Sequence, residues 1–223
     1  MNPQVEIILQ QLKDAGSEEN RQGKARFGID VSRAYGVRIP EIRNIARPYR
    51  KNHDLALLLW SSKIHEARIV SAIIDDPSLV TPVQMDSWIS DFNSWDLCDQ
   101  CCLGLFVFTP YVFEKVEAWS YREPEFEKRA AFALLASAAV HCKKEADHTF
   151  IQLLPLIAEA ADDERNFVKK AVNWALRQIG KRNVNLNRHA MQLAENLAGS
   201  EKSKSSRWIG KDALRELQTR FDK

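Results

Sequence analysis

The sequence predicts an all-α fold in which short helices repeat in pairs along the chain. Apolar residues recur at spacings of three and four almost throughout, and no long stretch alternates as a strand does. Helix-ending signals follow at short intervals, among them Asp76-Pro77, Thr109-Pro110 and Glu123-Pro124. Because there are only 8 Gly and 8 Pro, few tight turns are available for an all-β fold.

Three helix pairs carry a tryptophan near the end of their first helix. These residues are Trp60, Trp88 and Trp119, which are 28 and 31 residues apart. A two-helix repeat of roughly 30 to 40 residues is the signature of an α-solenoid of the HEAT or a related type. We therefore predict a curved α-solenoid of HEAT-like helical repeats that forms one domain over residues 1–223, with a plain helical bundle as the alternative. The three tryptophans are interpreted as packing residues.

The second helices of the pairs carry polar residues at a similar interval. Arg68, Asp99 and Arg129 follow one another at distances of 31 and 30 residues. A solenoid presents one row of helices on its concave side, where ligands usually bind. We therefore expect these three residues, together with Lys170 and Lys211, to lie on one concave row.

Charge is distributed unevenly along the 223 residues, although the net charge is only +2. Residues 1–63 carry a net charge of +4, residues 64–163 carry −10, and residues 164–223 carry +8. Two basic ends around an acidic middle are able to steer a polyanion, although solvated helix faces give the same pattern.

Several other classes of function find no support in the sequence. The Cys98-x-x-Cys101 pair has no second pair to complete a zinc site, so these residues and Cys102 are interpreted as buried free thiols. No phosphate-binding glycine loop or nucleophile elbow is present, and we expect neither a metal nor a cofactor. No apolar run approaches the roughly 18 residues of a membrane span, and there is no signal-peptide pattern, so we expect a cytoplasmic protein without a membrane partner.

Trp95 and Asp99 form the first candidate site. They are four residues apart, which on a helix places the indole and the carboxylate on one face, one turn apart. The apolar stripe of this helix contains Leu97, Cys101 and Cys102, so Trp95 and Asp99 lie off the core face. The alternative is that Trp95 packs on a neighbouring helix and Asp99 pairs with a lysine.

A second candidate stripe lies between residues 167 and 181. Lys170, Trp174, Arg177 and Lys181 follow at intervals of four, three and four residues, opposite an apolar stripe. Cations aligned with one indole suit contacts to phosphate and sugar, although a solvated face with one half-buried tryptophan is an equal alternative.

Further basic clusters lie near both ends of the chain. Near the N-terminus they are Lys24, Arg26, Arg33, Arg38, Arg43 and Arg47. Near the C-terminus, Lys202, Lys204 and Lys211 surround a helix that we expect to begin at Ser205 or Ser206, since serine is a good N-cap. A helix N-terminus flanked by cations is a natural phosphate site.

Four segments together give the chain a resemblance to a known family. They are residues 35–43, 93–99, 128–130 and 173–177. The chain resembles the AlkD-like DNA alkylation repair family, which consists of HEAT-like-repeat DNA glycosylases, and the resemblance covers nearly its whole length. Members of this family remove N3- and N7-alkylated purines, so the resemblance implies double-stranded DNA with alkylated bases as the partner. We expect the protein to bind it as a monomer.

The resemblance also implies roles for particular residues. Asp99 matches the family's catalytic aspartate, Trp95 the indole one turn before it, Arg129 a phosphate-contacting arginine, and Trp174 the second indole. Phe27 is a looser match to an aromatic residue of the binding cleft. The basic residues that we add as expected DNA contacts are Arg38, Lys170, Arg177 and Lys211.

Two other functions are compatible with the same pattern. One is non-catalytic binding of damaged or branched DNA, since some relatives bind DNA without excising bases. The other is a solenoid scaffold that binds a protein partner through its acidic middle. Steep weakening of binding with salt would distinguish DNA from a protein partner.

Overall fold

The computed structural model describes residues 2–201 and 203–221, and within these ranges all regular structure is helical. Lys202, which belongs to the predicted C-terminal basic cluster, lies outside the described residues. The chain divides into two compact units, unit 1 (Met1–Pro110) and unit 2 (Tyr111–Lys223). The single domain predicted over residues 1–223 stays a prediction.

Unit 1 contains seven α-helices within the described residues, and two short 3₁₀ turns follow α3 and α7. The helices are α1 (Pro3–Asp14), α2 (Glu18–Arg26), α3 (Ile39–Ala46), α4 (His53–Ser61), α5 (His65–Ile74), α6 (Pro82–Ser90) and α7 (Trp95–Gly104). Helices α4 and α5 pack together as one of the predicted pairs, and α6 and α7 follow as the next two helices along the chain.

Helix α5 is the centre of unit 1. Every residue of this helix except Ile73 is buried, and α1, α3, α4 and α7 all pack against it. A helix that is buried on all sides normally consists of apolar residues. Helix α5 nevertheless carries His65, Glu66 and Arg68 in its first turn, and each of these must therefore find a partner inside the unit.

The tryptophans that end the first helices do pack, as the sequence predicted. The rings of Trp60 and Trp88 stack in parallel with their centroids 3.8 Å apart. Arg68 lies 5.0 Å from the centroid of Trp60 and donates a 2.8 Å hydrogen bond to the carboxylate of Asp91. Arg68, which the repeat spacing placed on a ligand-facing row, is thus a buried packing residue with internal partners.

Unit 2 contains six α-helices within the described residues. They are α8 (Val112–Ser120), α9 (Glu125–His141), α10 (Asp147–Ala160), α11 (Asn166–Gly180), α12 (Val184–Ala198) and α13 (Lys204–Leu217). Helix α9 is buried continuously from Arg129 to Ala139, and it packs against α8 and α11. Trp119 at the end of α8 is fully buried, in agreement with its predicted packing role.

Helices α9 and α11 run parallel and side by side. Near their starts, the rings of Phe126 and Phe167 lie 5.5 Å apart. Near their ends, the guanidinium of Arg182 donates a 2.6 Å hydrogen bond to the carbonyl of Ala139. The second helices of successive pairs therefore lie next to each other, as the repeat predicts.

Helices α11 and α13 continue this row in unit 2. Lys169 lies over the ring of Trp208 near the starts of the two helices, and Lys181 pairs with Glu216 near their ends. Gly210 allows the close approach of α12 to α13, because a Cβ at this position would lie 2.3 Å from the backbone nitrogen of Ala198.

The predicted start of α13 is wrong by two or three residues. Its N-cap is Ser203, whose hydroxyl accepts a 3.1 Å hydrogen bond from the backbone N–H of Ser206. The hydroxyls of Ser205 and Ser206 instead donate to the carbonyl of Asp163 and the carboxylate of Asp162. Sequence reasoning identified the residue type of the cap but not which of several serines has the extended backbone of an N-cap.

The carboxylate of Glu66 holds a loop of unit 1 against α5. Its oxygens accept hydrogen bonds of 2.9–3.1 Å from the backbone N–H groups of Tyr35, Gly36 and Val37, and a fourth of 3.0 Å from the ammonium of Lys24. Burial of the carboxyl group raises its pKa, but the charge of Lys24 and the hydrogen bond from the backbone N–H of Tyr35 more than offset this effect. The pKa of Glu66 therefore lies below its ordinary value. The carboxylate is thus ionised and fully bonded.

We predict that Glu66→Gln lowers the free energy of unfolding by about 3 kcal/mol at pH 7. The N–H₂ group of the new amide would face hydrogen-bond donors, and Lys24 would lose the negative charge that compensates its ammonium. Because the folded-state pKa lies below the ordinary value of 4.5, the contribution of Glu66 is complete above that pH and is lost as the pH falls through the folded-state pKa. Urea denaturation of the unmodified protein and of Glu66→Gln, at pH 7 and at pH values below 4.5, measures the difference in the free energy of unfolding.

The matched control is Glu41→Gln, which changes an exposed glutamate in the first turn of α3. It is expected to change the unfolding free energy by about 0.5 kcal/mol or less. Equal effects of the two variants would contradict the role assigned to Glu66.

Candidate nucleic-acid interface

Trp95 and Asp99 lie on α7 as the sequence predicted, and both are partly exposed. Leu97, Cys101 and Cys102 of the same helix are all fully buried. Burial strongly raises the pKa of both of these thiols, so they remain neutral packing groups. This packing fixes the direction in which the first turn of α7 presents its indole.

The indole of Trp95 is also fixed by a long-range hydrogen bond. Its Nε1–H donates to the carbonyl of Phe27 at 3.0 Å, across 68 residues of sequence. Phe27 is the C-cap of α2, and its own side chain is 71% exposed. One exposed aromatic ring and one oriented indole are therefore brought together, although the sequence match at Phe27 was loose.

A cavity of about 560 Å³ lies beside this pair. Phe27, Arg38 and Trp95 are three of the predicted site residues, and all three line it. Arg38 is exposed, and Nε of its guanidinium is 3.4 Å from the side-chain oxygen of Asn20. The cavity thus combines aromatic and cationic groups, and Asp99 lies one helical turn beyond Trp95.

A carboxylate that sequence reasoning missed also lines this cavity. Asp96 lies 2.9 Å from Nε2 of His65, which is buried. Burial raises the pKa of Asp96, but the hydrogen bond from His65 outweighs this effect, so the pKa of Asp96 lies below its ordinary value. An ionised carboxylate only accepts, so Nε2 of His65 carries the proton of this bond. A signal existed in the sequence, because His65 and Asp96 are 31 residues apart, which is also the distance from Arg68 to Asp99.

In unit 2, Arg129 is a buried contact between α9 and α11. It is 5% exposed, and its guanidinium donates a 2.7 Å hydrogen bond to the carbonyl of Phe167. Its predicted role as a phosphate contact stays a prediction. Trp174, on α11, is partly exposed.

The predicted cations of α11 and α13 fall into two groups. Arg177 donates a 2.5 Å hydrogen bond to Glu216 and lies 3.9 Å from Asp212, and Lys181 also pairs with Glu216. Burial raises the pKa of Glu216, but the hydrogen bonds and charges of Lys181 and Arg177 lower it by more, so its pKa lies below the ordinary value. Glu216 is therefore ionised and forms ion pairs with both cations.

Lys170 and Lys211 form the second group. Both are exposed, and neither has an ion-pair partner among the described residues. An ammonium without an internal partner is available to a phosphate, whereas the charge of Arg177 is already compensated within the unit.

The N-terminus of α13 does not offer the open phosphate site suggested by the sequence. The carboxylate of Glu164 accepts from the backbone N–H of Ser205 at 3.1 Å and lies 3.2 Å from the hydroxyl of Ser203. An acidic side chain of the protein itself therefore occupies the position that a phosphate would take.

Neither a metal cluster nor a membrane span is found in the part of the chain that the structure describes. Within residues 2–201 and 203–221, no group of three or more His, Cys, Asp or Glu residues is placed to hold a metal ion. None of the helices in these ranges combines the length and apolar character that crossing a membrane requires.

Comparison with known proteins places this geometry in a family. The model of a family described as DNA alkylation repair enzyme matches residues 8–217, and the chain belongs to this family. A solved structure is described as that of a new family of proteins related to the HEAT-like repeat DNA glycosylases with affinity for branched DNA structures. It shares 18% identity with this chain, the match covers 96% of this chain and 95% of that one, and the TM-score is 0.77. No curated protein is significantly similar to the sequence.

These findings confirm the resemblance seen in the sequence and the all-α fold of HEAT-like repeats. The family and the fold do not by themselves assign an activity, which depends on the individual side chains. The residues predicted to act on DNA remain predictions.

The contact between Trp95 and Phe27 is testable by hydrogen exchange. We predict that Trp95→Phe, which removes the indole N–H, loosens the end of α2 by about 1 kcal/mol. Amide exchange in residues 24–30 should then become roughly fivefold faster, because the turn amides of Phe27, Gly28 and Ile29 depend on this local anchor. Trp174→Phe in unit 2 is the control and should leave these amides unchanged. Unaltered exchange in Trp95→Phe would show that the hydrogen bond does not anchor the turn.

Proposed function

We propose that the protein is a DNA glycosylase that releases N3- and N7-alkylated purines from duplex DNA. The observation that carries this proposal is the fixed indole of Trp95, which borders a cavity with Phe27 and Arg38 and has Asp99 one turn further along the same helix. A cationic nucleoside suits a site where a carboxylate and an aromatic face lie next to each other. Membership of the DNA alkylation repair family supports this choice.

The chemistry required of the protein is modest. Alkylation at N3 or N7 gives the purine a positive charge, so the bond between C1′ and N9 is weak. When this bond breaks, N9 keeps the electron pair, the base leaves as a neutral molecule, and positive charge develops on the sugar. Water then adds its oxygen to C1′ and gives up a proton.

In this proposal Asp99 stabilises the charge that develops on the sugar and accepts the proton of the attacking water. Trp95 attracts the cationic sugar through its ring face, by about 1–2 kcal/mol when water is excluded. Trp174 is proposed as an aromatic contact to DNA within unit 2. Arg38 and the exposed ring of Phe27 hold the DNA next to the cavity of unit 1. Because Arg129 is buried, we propose Lys170 and Lys211 as the main phosphate contacts of unit 2, with Arg129 positioning α11.

A second candidate function is non-catalytic binding of branched DNA. It is favoured by the similar structure, whose family is described as having affinity for branched DNA structures. It would use the same lysines and aromatic residues but would not depend on Asp99.

Asp99→Asn separates the two candidates. The substitution keeps the size of the side chain and removes its charge, so we predict that release of 7-methylguanine falls at least a hundredfold, as is typical for loss of about 3–4 kcal/mol of electrostatic stabilisation. DNA affinity should be unchanged or slightly higher, since repulsion of phosphate is relieved. Single-turnover release of the base from methylated duplex DNA measures the rate, and fluorescence anisotropy measures the affinity.

Asp54→Asn, at an exposed position in the first turn of α4, is the control and should release base at the parent rate. If the parent protein binds DNA and releases no base, the second candidate function holds. If Asp99→Asn releases base at the parent rate, Asp99 is not the catalytic group.

The proposed phosphate contacts predict a specific salt dependence. Each contact contributes about 0.9 to the slope of log affinity against log salt concentration for duplex DNA. We therefore expect Lys170→Ala and Lys211→Ala each to lower the slope by about this amount. Lys181→Ala is the matched control, because its ammonium already pairs with Glu216, and it should change the slope much less. Equal slopes for all three variants would place the DNA elsewhere on the protein.

A further inference from the structure

Trp208 is unusually exposed for a tryptophan. All six tryptophans lie within the described residues, and Trp208, which is 41% exposed, is the most exposed of them. Its position on α13 is not needed for the core, which this helix supplies through Ile209, Ala213 and Leu217. Tryptophan is enriched at binding interfaces, because its ring combines a large apolar area with one polar N–H group.

Unpaired cations surround this ring. Lys204 and Lys211 lie one turn before and one turn after Trp208 on α13, and both are exposed. The ammonium of Lys169 on the parallel helix α11 lies 5.4 Å from the centre of the indole ring. None of these three lysines has an ion-pair partner among the described residues.

The acidic side chains of Asp162, Glu164 and Asp212 at α13 bond to groups other than these three lysines. Glu164 caps the start of the helix, and the carboxylate of Asp162 accepts from the hydroxyl of Ser206. Asp212 pairs with Arg177 and Arg215. The surface around Trp208 therefore combines one aromatic ring with positive charge that is available to a polyanion.

We propose that Trp208 is a stacking site for an unpaired nucleobase of DNA, with Lys169, Lys204 and Lys211 binding the adjacent phosphates. An indole needs the free face of a base, and in an intact duplex both faces of each base are covered by its neighbours. The ligand is thus a strand with unpaired bases, such as the single-stranded arm of a branched DNA. This inference rests on the proposed DNA binding and adds a second contact, separate from the cavity of unit 1.

The test compares binding of the full chain to two DNA molecules, a plain duplex and the same duplex with a single-stranded arm that carries one 2-aminopurine. The unmodified protein should prefer the branched DNA and quench the 2-aminopurine, since stacking quenches its fluorescence. Trp208→Ala should lose about tenfold in affinity for the branched DNA together with the quenching, and should bind the plain duplex as before. Trp208→Phe should retain part of both signals, because a phenyl ring still stacks.

Tyr121→Ala removes another exposed aromatic residue of unit 2 and is the control, which should behave as the unmodified protein. If Trp208→Ala is folded by circular dichroism and keeps the preference and the quenching, the stacking site is overturned while the proposed function stands. If the unmodified protein binds neither DNA, the proposed function and this inference both fail.

Discussion

The carboxylate of Glu66 is the interaction on which the geometry of unit 1 depends. Three successive backbone N–H groups, at residues 35–37, converge on this carboxylate. The loop can adopt this conformation because Gly36 has a positive φ of 81° and no side chain. A Cβ at this position would lie only 2.2 Å from the carbonyl oxygen of Ser17. The loop so fixed leads directly to Arg38 at the cavity. Lys24 joins the same carboxylate to α2, whose end carries Phe27. One buried charge therefore places residues from two segments beside Trp95, although neither segment packs through a large apolar surface of its own.

This dependence explains why the cavity of unit 1 was only partly predictable. The face of α7 that carries Trp95 and Asp99 follows from helical periodicity, and so does the burial of its cysteines. The contact of Trp95 with Phe27 does not, because it joins residues 68 apart through a backbone carbonyl, which has no sequence signal. His65 and Asp96 were within reach of the repeat argument, since they share the 31-residue interval. The interval gives equivalent positions on two helices, but it does not show that the two side chains meet.

Basic stripes on helices are ambiguous for a related physical reason. Periodicity shows that Lys170, Arg177 and Lys181 lie on one face of α11, but it does not show what the next helix offers them. In the structure α13 places Glu216 against two of the three, which leaves only Lys170 available. The same holds for the start of α13, where Glu164 fills a site that sequence alone makes attractive for phosphate. Predicting a surface for a polyanion therefore requires the pairing between neighbouring helices as well as the pattern on each helix.

In unit 2, arginines join neighbouring helices whereas Lys170 and Lys211 stay exposed, and this difference follows from the chemistry of the two side chains. Arg129 and Arg182 each donate to a backbone carbonyl across the boundary between α9 and α11, and Arg177 reaches carboxylates on α13. The planar guanidinium has several donors in a fixed arrangement, so it suits contacts that hold two helices in register. The ammonium of lysine is strongly hydrated and flexible, so Lys170 and Lys211 remain at the surface. In the function proposed above, these flexible point charges contact the DNA backbone rather than particular bases, and selection of the DNA site falls to the aromatic residues and to Asp99.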